Sequence, residues 1–348
     1  MRKAIFFVIG SCLLCGEILL GGGCSKKRQV RVRSEQKGQG ERKREESFDL
    51  KANSQAIAPL AKGEGVIRFA TLNCEWFFDE DFSDQRHVAK GIIKNFPTTR
   101  RAYLRKLNNV AKVLLALRAD FYALQEVEDR EVLEDVASIL NRHFSKKYRV
   151  YFVPGKDRAT GQNVGVLTHF NVLSFRRYRH LRPANVSKNL TLELVVGKER
   201  VRAIVLHLKA GGRSAADRKS LYKRLNQARS IHRILRSYLR RRENVLVLGD
   251  LNCQQPYGSK KINAAYILCG WHTRREDWDD MIDMHSYLRP VERITHIAGG
   301  QLDRILFSPA LVEDSSGRLD LVFRRGGRLV VPREVSDHYA LWADFEIR

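Results

Sequence analysis

From Val66 onward, apolar residues arrive in short bursts, and the spacing inside each burst predicts an element. Val66 to Leu72 is nearly continuous and reads as a strand entering a core, ending at the polar Asn73. Between Arg101 and Leu117, apolar positions recur every three or four residues (Leu104, Leu107, Val110, Val113 or Leu114, Leu117), which is helical spacing. Phe121 to Leu124 is a second short strand that delivers Gln125 and Glu126, and Glu131 to Leu140 reads as a helix. Further strands are predicted at Tyr148–Val153, Val164–Thr168, Val172–Phe175, Leu190–Val196 and Val201–Leu208, the last two forming a hairpin closed by Gly197 to Arg200. Asp217 to Arg240 is the clearest helix, with Leu221, Leu225, Ala228, Ile231, Leu235 and Tyr238 on one stripe. Val245–Leu248 is a wholly apolar strand ending in Gly249 and Asp250. Leu302–Phe307, Leu319–Phe323, Arg328–Val331 and Tyr339–Phe345 close the chain as strands. Many strands with few long helices favour a mixed or antiparallel α/β core over a doubly wound parallel one.

The N-terminus follows different rules. Arg2 and Lys3 precede apolar Ala4 to Leu14, then Glu17, Ile18 to Leu20, and Gly21-Gly22-Gly23-Cys24. A basic start, a short apolar segment and small residues predict an export signal over residues 1–24 rather than a bilayer span; a buried N-terminal strand or helix is the plainer alternative. The small residues before Cys24 also resemble a bacterial lipoprotein processing site, with Leu20 one position early, so that Cys24 would carry the lipid anchor. Residues 25–64 are polar and basic and read as a flexible linker, leaving 65–348 as the folded domain.

Composition narrows the choice further. Hydrophobic residues make up 43% of the chain, which suits a globular domain. Cys74, Cys253 and Cys269 lie beyond the predicted signal and linker and lack zinc-type spacing; one disulfide is open to them, its pairing unreadable. The net charge is +24, of which residues 1–25 carry +1, residues 26–46 carry +5 and residues 47–348 carry +18. The excess therefore belongs to the domain and favours polyanions, either nucleic acid or anionic lipid headgroups. A generally basic composition of the host's proteins would produce the same number.

Polar motifs stand where strands leave the core: Asn73; Gln125-Glu126; His207-Leu208-Lys209; Gly249-Asp250-Leu251-Asn252; Asp303; and Ser336-Asp337-His338. Oxygen ligands at such positions suit hard divalent cations, and histidines beside them can bind phosphate or move a proton. Singly, each has a bland reading: Asn73 and the Gly249–Asn252 run as turns, Glu126 as a solvated carboxylate, and His207 as a satisfied core histidine.

In order along the chain, the array resembles the endonuclease/exonuclease/phosphatase superfamily of DNase I-like proteins over about residues 66–348, most specifically at Gly249–Asn252 and Ser336–His338. That resemblance implies a four-layered α/β sandwich, with two mostly antiparallel sheets face to face and helices outside. It implies that Asn73 and Glu126 hold Mg2+ or Mn2+, with Asp337 nearby through water. Asp250 would align or deprotonate the attacking water, Asn252 would contact the phosphate, and His338, oriented by Asp303, would bind a phosphoryl oxygen. His207 would lie near the phosphate and leaving group. Arg158 and Asn163, in the polar loop before Val164, and Lys209 are candidate substrate contacts. The basic residues of the helix from Arg218 to Arg240 either extend this footprint or form an ordinary solvated face.

The charge and His207 together favour nucleic acid as substrate; with the predicted export signal the expectation is an exported endonuclease, taken as a monomer. A lipid or small-molecule phosphoesterase of sphingomyelinase type comes second, with anionic lipid as its partner. An inert polyanion-binding surface protein is the non-enzymatic alternative.

Overall fold

The computed structural model describes residues 57–347 except 84, 86, 87, 89, 158, 212–217, 254, 274–276 and 313–320. The predicted signal with Cys24, most of the predicted linker, and Arg158 lie outside the described residues.

The element order is β1 (Val66–Phe77), α1 (Lys90–Ile93), α2 (Arg100–Leu117), β2 (Phe121–Val127), α3 (Arg130–His143), β3 (Arg149–Phe152), β4 (Asn163–Thr168), β5 (Asn171–Arg176), β6 (Lys188–Val196), β7 (Glu199–His207), α4 (Arg218–Leu239), β8 (Asn244–Asp250), α5 (Ala264–Leu268), β9 (Ile282–Asp283), β10 (Asp303–Phe307), β11 (Leu321–Leu329) and β12 (Ala340–Ile347). The strands form two six-stranded sheets, ordered β11-β12-β1-β2-β4-β3 and β5-β6-β7-β8-β10-β9. Neighbours run antiparallel except β1 with β2 and β7 with β8, the two pairs joined through helices α2 and α4.

Alternation along the strands builds the layers. Ile67 and Phe69 of β1, Ala203 and Val205 of β7, Leu246 and Leu248 of β8, and Ile305 and Phe307 of β10 meet in the core between the sheets. The opposite residues of β1 and β2 pack on α2 and α3, and those of β7, β8 and β10 pack on α4 and α5. The result is the expected four-layered sandwich. Helix starts follow side-chain capping: Thr99 accepts from the Ala102 N–H at 3.2 Å, and Asp129 from the Val132 N–H at 3.0 Å.

Two sequence expectations need correction. The hairpin turn is shorter than Gly197 to Arg200, because Val196 pairs directly with Glu199. The two strands expected around 319–323 and 328–331 are one, β11, bulged between Phe323 and Arg325. Gly326 and Gly327 do not break it. They make room, since a Cβ at 326 would lie 2.3 Å from the Met284 sulfur and one at 327 would lie 2.5 Å from the Trp342 ring. Cys74, Cys253 and Cys269 are buried free thiols, and burial raises the pKa of each. Among the described residues no helix is long and apolar enough to cross a membrane.

Candidate active site

The inward face of each central strand changes from apolar to polar at one end of the sandwich. On β1 the inward series Ile67, Phe69 ends in Thr71 and Asn73; on β7, Ala203 and Val205 lead to His207; on β8, Leu246 and Leu248 lead to Asp250; β10 begins with Asp303. Register then sets them side by side, His207 opposite Asp250 and Asp250 opposite Asp303. Gly249 permits this approach: its φ is 135°, and a Cβ there would lie 2.0 Å from the Leu206 carbonyl oxygen.

Glu126 arrives differently. Strict alternation would turn it out toward α2 and α3, because Tyr122 and Leu124 face that way. A bulge between Gln125 and Val127, with Glu126 at φ 57°, turns it back into the cluster. Asn252 is also left-handed, at φ 50°. It therefore sits in a turn after β8 and touches the cluster through its backbone N–H. The Asn252 N–H donates to Asp250 Oδ1 at 2.7 Å, and its amide donates to the Leu208 carbonyl at 3.1 Å. Glu75 and Trp76 are left-handed too, so strained backbone gathers at this end of the molecule.

The side chains converge. Asn73 Nδ2 donates to Glu126 Oε1 and to Asp250 Oδ2, each at 3.1 Å, and lies 3.5 Å from His338 Nε2; its Oδ1 accepts from the Glu75 N–H. His338 Nδ1 lies 2.8 Å from Asp303 Oδ2, so its Nε2 faces Asp250 Oδ2 at 3.9 Å and Asp337 Oδ1 at 3.8 Å. Ser336 holds that loop in place, donating to the Asn73 carbonyl and accepting from the His338 N–H. His207 Nε2 lies 3.6 Å from Asp250 Oδ2 and 3.9 Å from Glu126 Oε1.

Electrostatics separate the groups. Burial opposes charge on His338, but Asp303, then Asp250 and Asp337, outweigh it and push its pKa up to about 10. Asp250 is pushed up to about 7, first by burial and then by the Asp303 charge. Burial also raises Glu126 against the Asn73 hydrogen bond. His207 is held well below its usual value by burial, with the Lys188 and His338 cations adding to it, and stays neutral.

The donor set fits a hard divalent cation. Glu126, Asp250, Asp303 and Asp337 bring carboxylate oxygens to one end of the sheets; Asp250, Asp303 and His338 have candidate ligand atoms within 4.8 Å of one another, as do His296, Asp337 and His338. Asp303 Oδ1 is buried without a hydrogen-bond partner among the described residues.

The structure thus gathers Asn73, Glu126, His207, Asp250, Asn252, Asp303 and His338, with Asp337 half-buried at the edge. Lys209 is exposed just beyond His207. Asn163 opens β4 and is bonded away from the cluster: its amide donates to the Glu128 and Gly161 carbonyls and its Oδ1 accepts from the Gly155 N–H. Sequence reasoning missed three neighbours. Gln162 donates to Glu126 Oε2 at 2.5 Å; Lys188 donates to Gln162 Oε1 at 2.9 Å and pairs with Asp157 at 3.0 Å. His296 Nε2 lies 3.3 Å from Asp337 Oδ2. The polar loop holding Gln162 was legible as a candidate. Lys188 becomes legible only through its register opposite His207.

A fold and cluster of this kind define a class, and the chain belongs to it: the model of the Endonuclease/Exonuclease/phosphatase family matches residues 70–338. Members of that family are phosphoester hydrolases. No curated protein matches the chain in sequence. Among solved structures, truncated Caenorhabditis elegans TDP2 is 17% identical with a TM-score of 0.51, covering 81% of this chain and 98% of that one. The human Nocturnin catalytic domain with bound sulfate is 17% identical with a TM-score of 0.52, covering 82% and 94%. An endonuclease/exonuclease/phosphatase family protein from Leptotrichia buccalis is 10% identical with a TM-score of 0.53, covering 81% and 100%. Identities this low speak for the shared fold.

Proposed function

We propose that this protein is a divalent-metal-dependent phosphodiesterase that cleaves nucleic acid endonucleolytically outside the cytoplasm. The observation that carries the reading is His338, held by Asp303 at 2.8 Å through Nδ1, with its Nε2 facing the Asp250 carboxylate at 3.9 Å.

The chain's own groups divide the work. Glu126 would hold the cation (Mg2+ or Mn2+), with the Asn73 amide spacing Glu126 from Asp250 and Asp337 at the rim. Once bound, the cation neutralises phosphoryl charge and polarises the phosphorus centre. His338 directs its Nε2–H to a phosphoryl oxygen and opposes the charge that develops there. Asp250 accepts from the Asn252 N–H at Oδ1 and from the Asn73 amide at Oδ2, and its second Oδ2 lone pair would take a proton from the attacking water. Neutral His207 stands beside it without adding a second positive charge. Lys209 at the mouth extends the cationic rim toward flanking phosphates, and the domain's basic balance favours a polyanion over a neutral lipid.

The test is a panel of supercoiled plasmid, linear DNA, RNA, sphingomyelin and a soluble phosphomonoester, with Mg2+, Mn2+ or a chelator. Plasmid nicking that chelation stops is the expected result. Lipid cleavage without nicking would reverse the substrate choice, and no cleavage of any ester would leave the polyanion-binding alternative. Export with lipid on Cys24 is part of the same proposal. Incorporation of labelled fatty acid, lost in Cys24→Ala, is its expected signature.

A further inference from the structure

Helix α4 contains 22 residues and no acidic one. Its aliphatic residues Leu225, Ile231, Ile234, Leu235 and Leu239 pack toward the core, so the outward face is polar. Lys219, Lys223, Arg229 and Arg233 are exposed, and at about 100° per residue their steps of four, six and four residues spread them over roughly 120° of that face, with Tyr222 among them at 69% exposure. No described carboxylate lies within ion-pair distance of these four cations. Further along, Arg236 is paired with Asp279 at 2.7 Å.

The helix is anchored through its inward face. Gln227 accepts from the Lys209 N–H at 2.8 Å, and buried Arg224 donates to the Lys209 carbonyl at 2.8 Å. These bonds fasten the first half of α4 to the segment that leaves His207. From Lys219 to Arg233 the helix rises roughly 21 Å, about the length of six base pairs.

We infer that this exposed face of α4 is a phosphate-backbone track, which holds duplex DNA beyond the bonds cut at the active site. This rests on the nucleic-acid reading above and adds to it a preference for long substrates. Charge complementarity selects the occupant: four exposed cations along about 21 Å of helix, with no carboxylate partner among the described residues, match the phosphates of a duplex, and two of them are arginines suited to paired hydrogen bonds with phosphate. A membrane surface fits less well, because the aliphatic residues that would anchor the helix in lipid are turned into the core.

The test compares wild type with the fourfold variant Lys219→Ala, Lys223→Ala, Arg229→Ala, Arg233→Ala. Binding of a duplex of about 30 base pairs, followed by fluorescence anisotropy in a chelator across a salt series, reads the track without any cleavage. The expected result is affinity at least about tenfold weaker at low salt, with a log–log salt slope shallower by about 3. The charge-keeping variant Lys219→Arg, Lys223→Arg, Arg229→Lys, Arg233→Lys should bind as wild type does, which separates charge from folding damage. Turnover of bis(4-nitrophenyl) phosphate should be the same in all three proteins. Unchanged duplex affinity and slope in the alanine variant would overturn the track. So would loss of binding to phosphatidylglycerol vesicles with duplex binding kept, which assigns the face to membrane. If wild type cleaves no phosphodiester yet loses duplex binding in the alanine variant, the catalytic reading fails and the track stands.

Discussion

Strands β1 and β2 carry an ionic cluster at each end, and the two clusters solve the same problem in opposite ways. At the leading end, Arg68 is completely buried but donates to Asp344 through Nε at 2.6 Å and Nη2 at 2.8 Å, and to the Leu117 carbonyl. Asp120 there accepts from the Arg68 N–H at 2.8 Å and meets Lys62, Lys146 and His169. Burial works against its charge, yet these partners hold its pKa well below the usual carboxylate range. At the trailing end, buried Asp250 and half-buried Glu126 stand close to other carboxylates, and both pKa values are raised. A compensated cluster holds the fold. An undercompensated one leaves charge to be met by a cation or substrate, which is the mark of a functional site.

Predictions follow from breaking each end. Arg68→Met leaves Asp344 buried with Arg325 alone, and should cost about 3–5 kcal/mol of stability in urea denaturation while activity per folded molecule is kept. A loss below about 1 kcal/mol would mean that the leading cluster is not structural in this sense. Asp250→Asn should lower turnover at least about 100-fold with the fold intact; near-wild-type turnover would remove Asp250 from the chemistry.

The pH responses should also differ. Asp120 has a depressed folded-state pKa, so its stabilisation is complete above the unfolded value of about 3.9 and is lost as pH falls toward the folded one. Acid unfolding curves should therefore flatten in Asp120→Asn, which begins less stable at neutral pH. Asp250 has the opposite sign: its raised pKa favours the fold at low pH, and that contribution is lost as pH rises through about 7. Asp250→Asn should therefore hold or slightly raise the unfolding midpoint above neutrality. The activity profile should rise through about 7, as Asp250 loses its proton, and fall near 10, as His338 loses its own. A profile flat through neutrality would separate Asp250 from proton transfer.

Much of this was legible in the chain. Short apolar runs ending in polar residues marked where strands leave the core, and put Asn73, His207, Asp250 and Asp303 at those points. Glu126 was readable only as a motif, because its alternation points the wrong way and a bulge reverses it. Gln162 and Lys188 join the site through pairing between strands distant in sequence, which local pattern does not encode.

By itself, then, the sequence determined the succession of elements, the buried faces and the residue types of the site, because these depend on spacing along one strand or helix. The tertiary structure alone decided which strand ends share a cluster, that a bulge with left-handed backbone turns Glu126 inward, and that the charge at one end is compensated while the other is not. It also settled that four cations of α4 face outward with no carboxylate partner among the described residues. These outcomes depend on register, bulges and distances between remote segments, and such quantities exist only once the two sheets have packed.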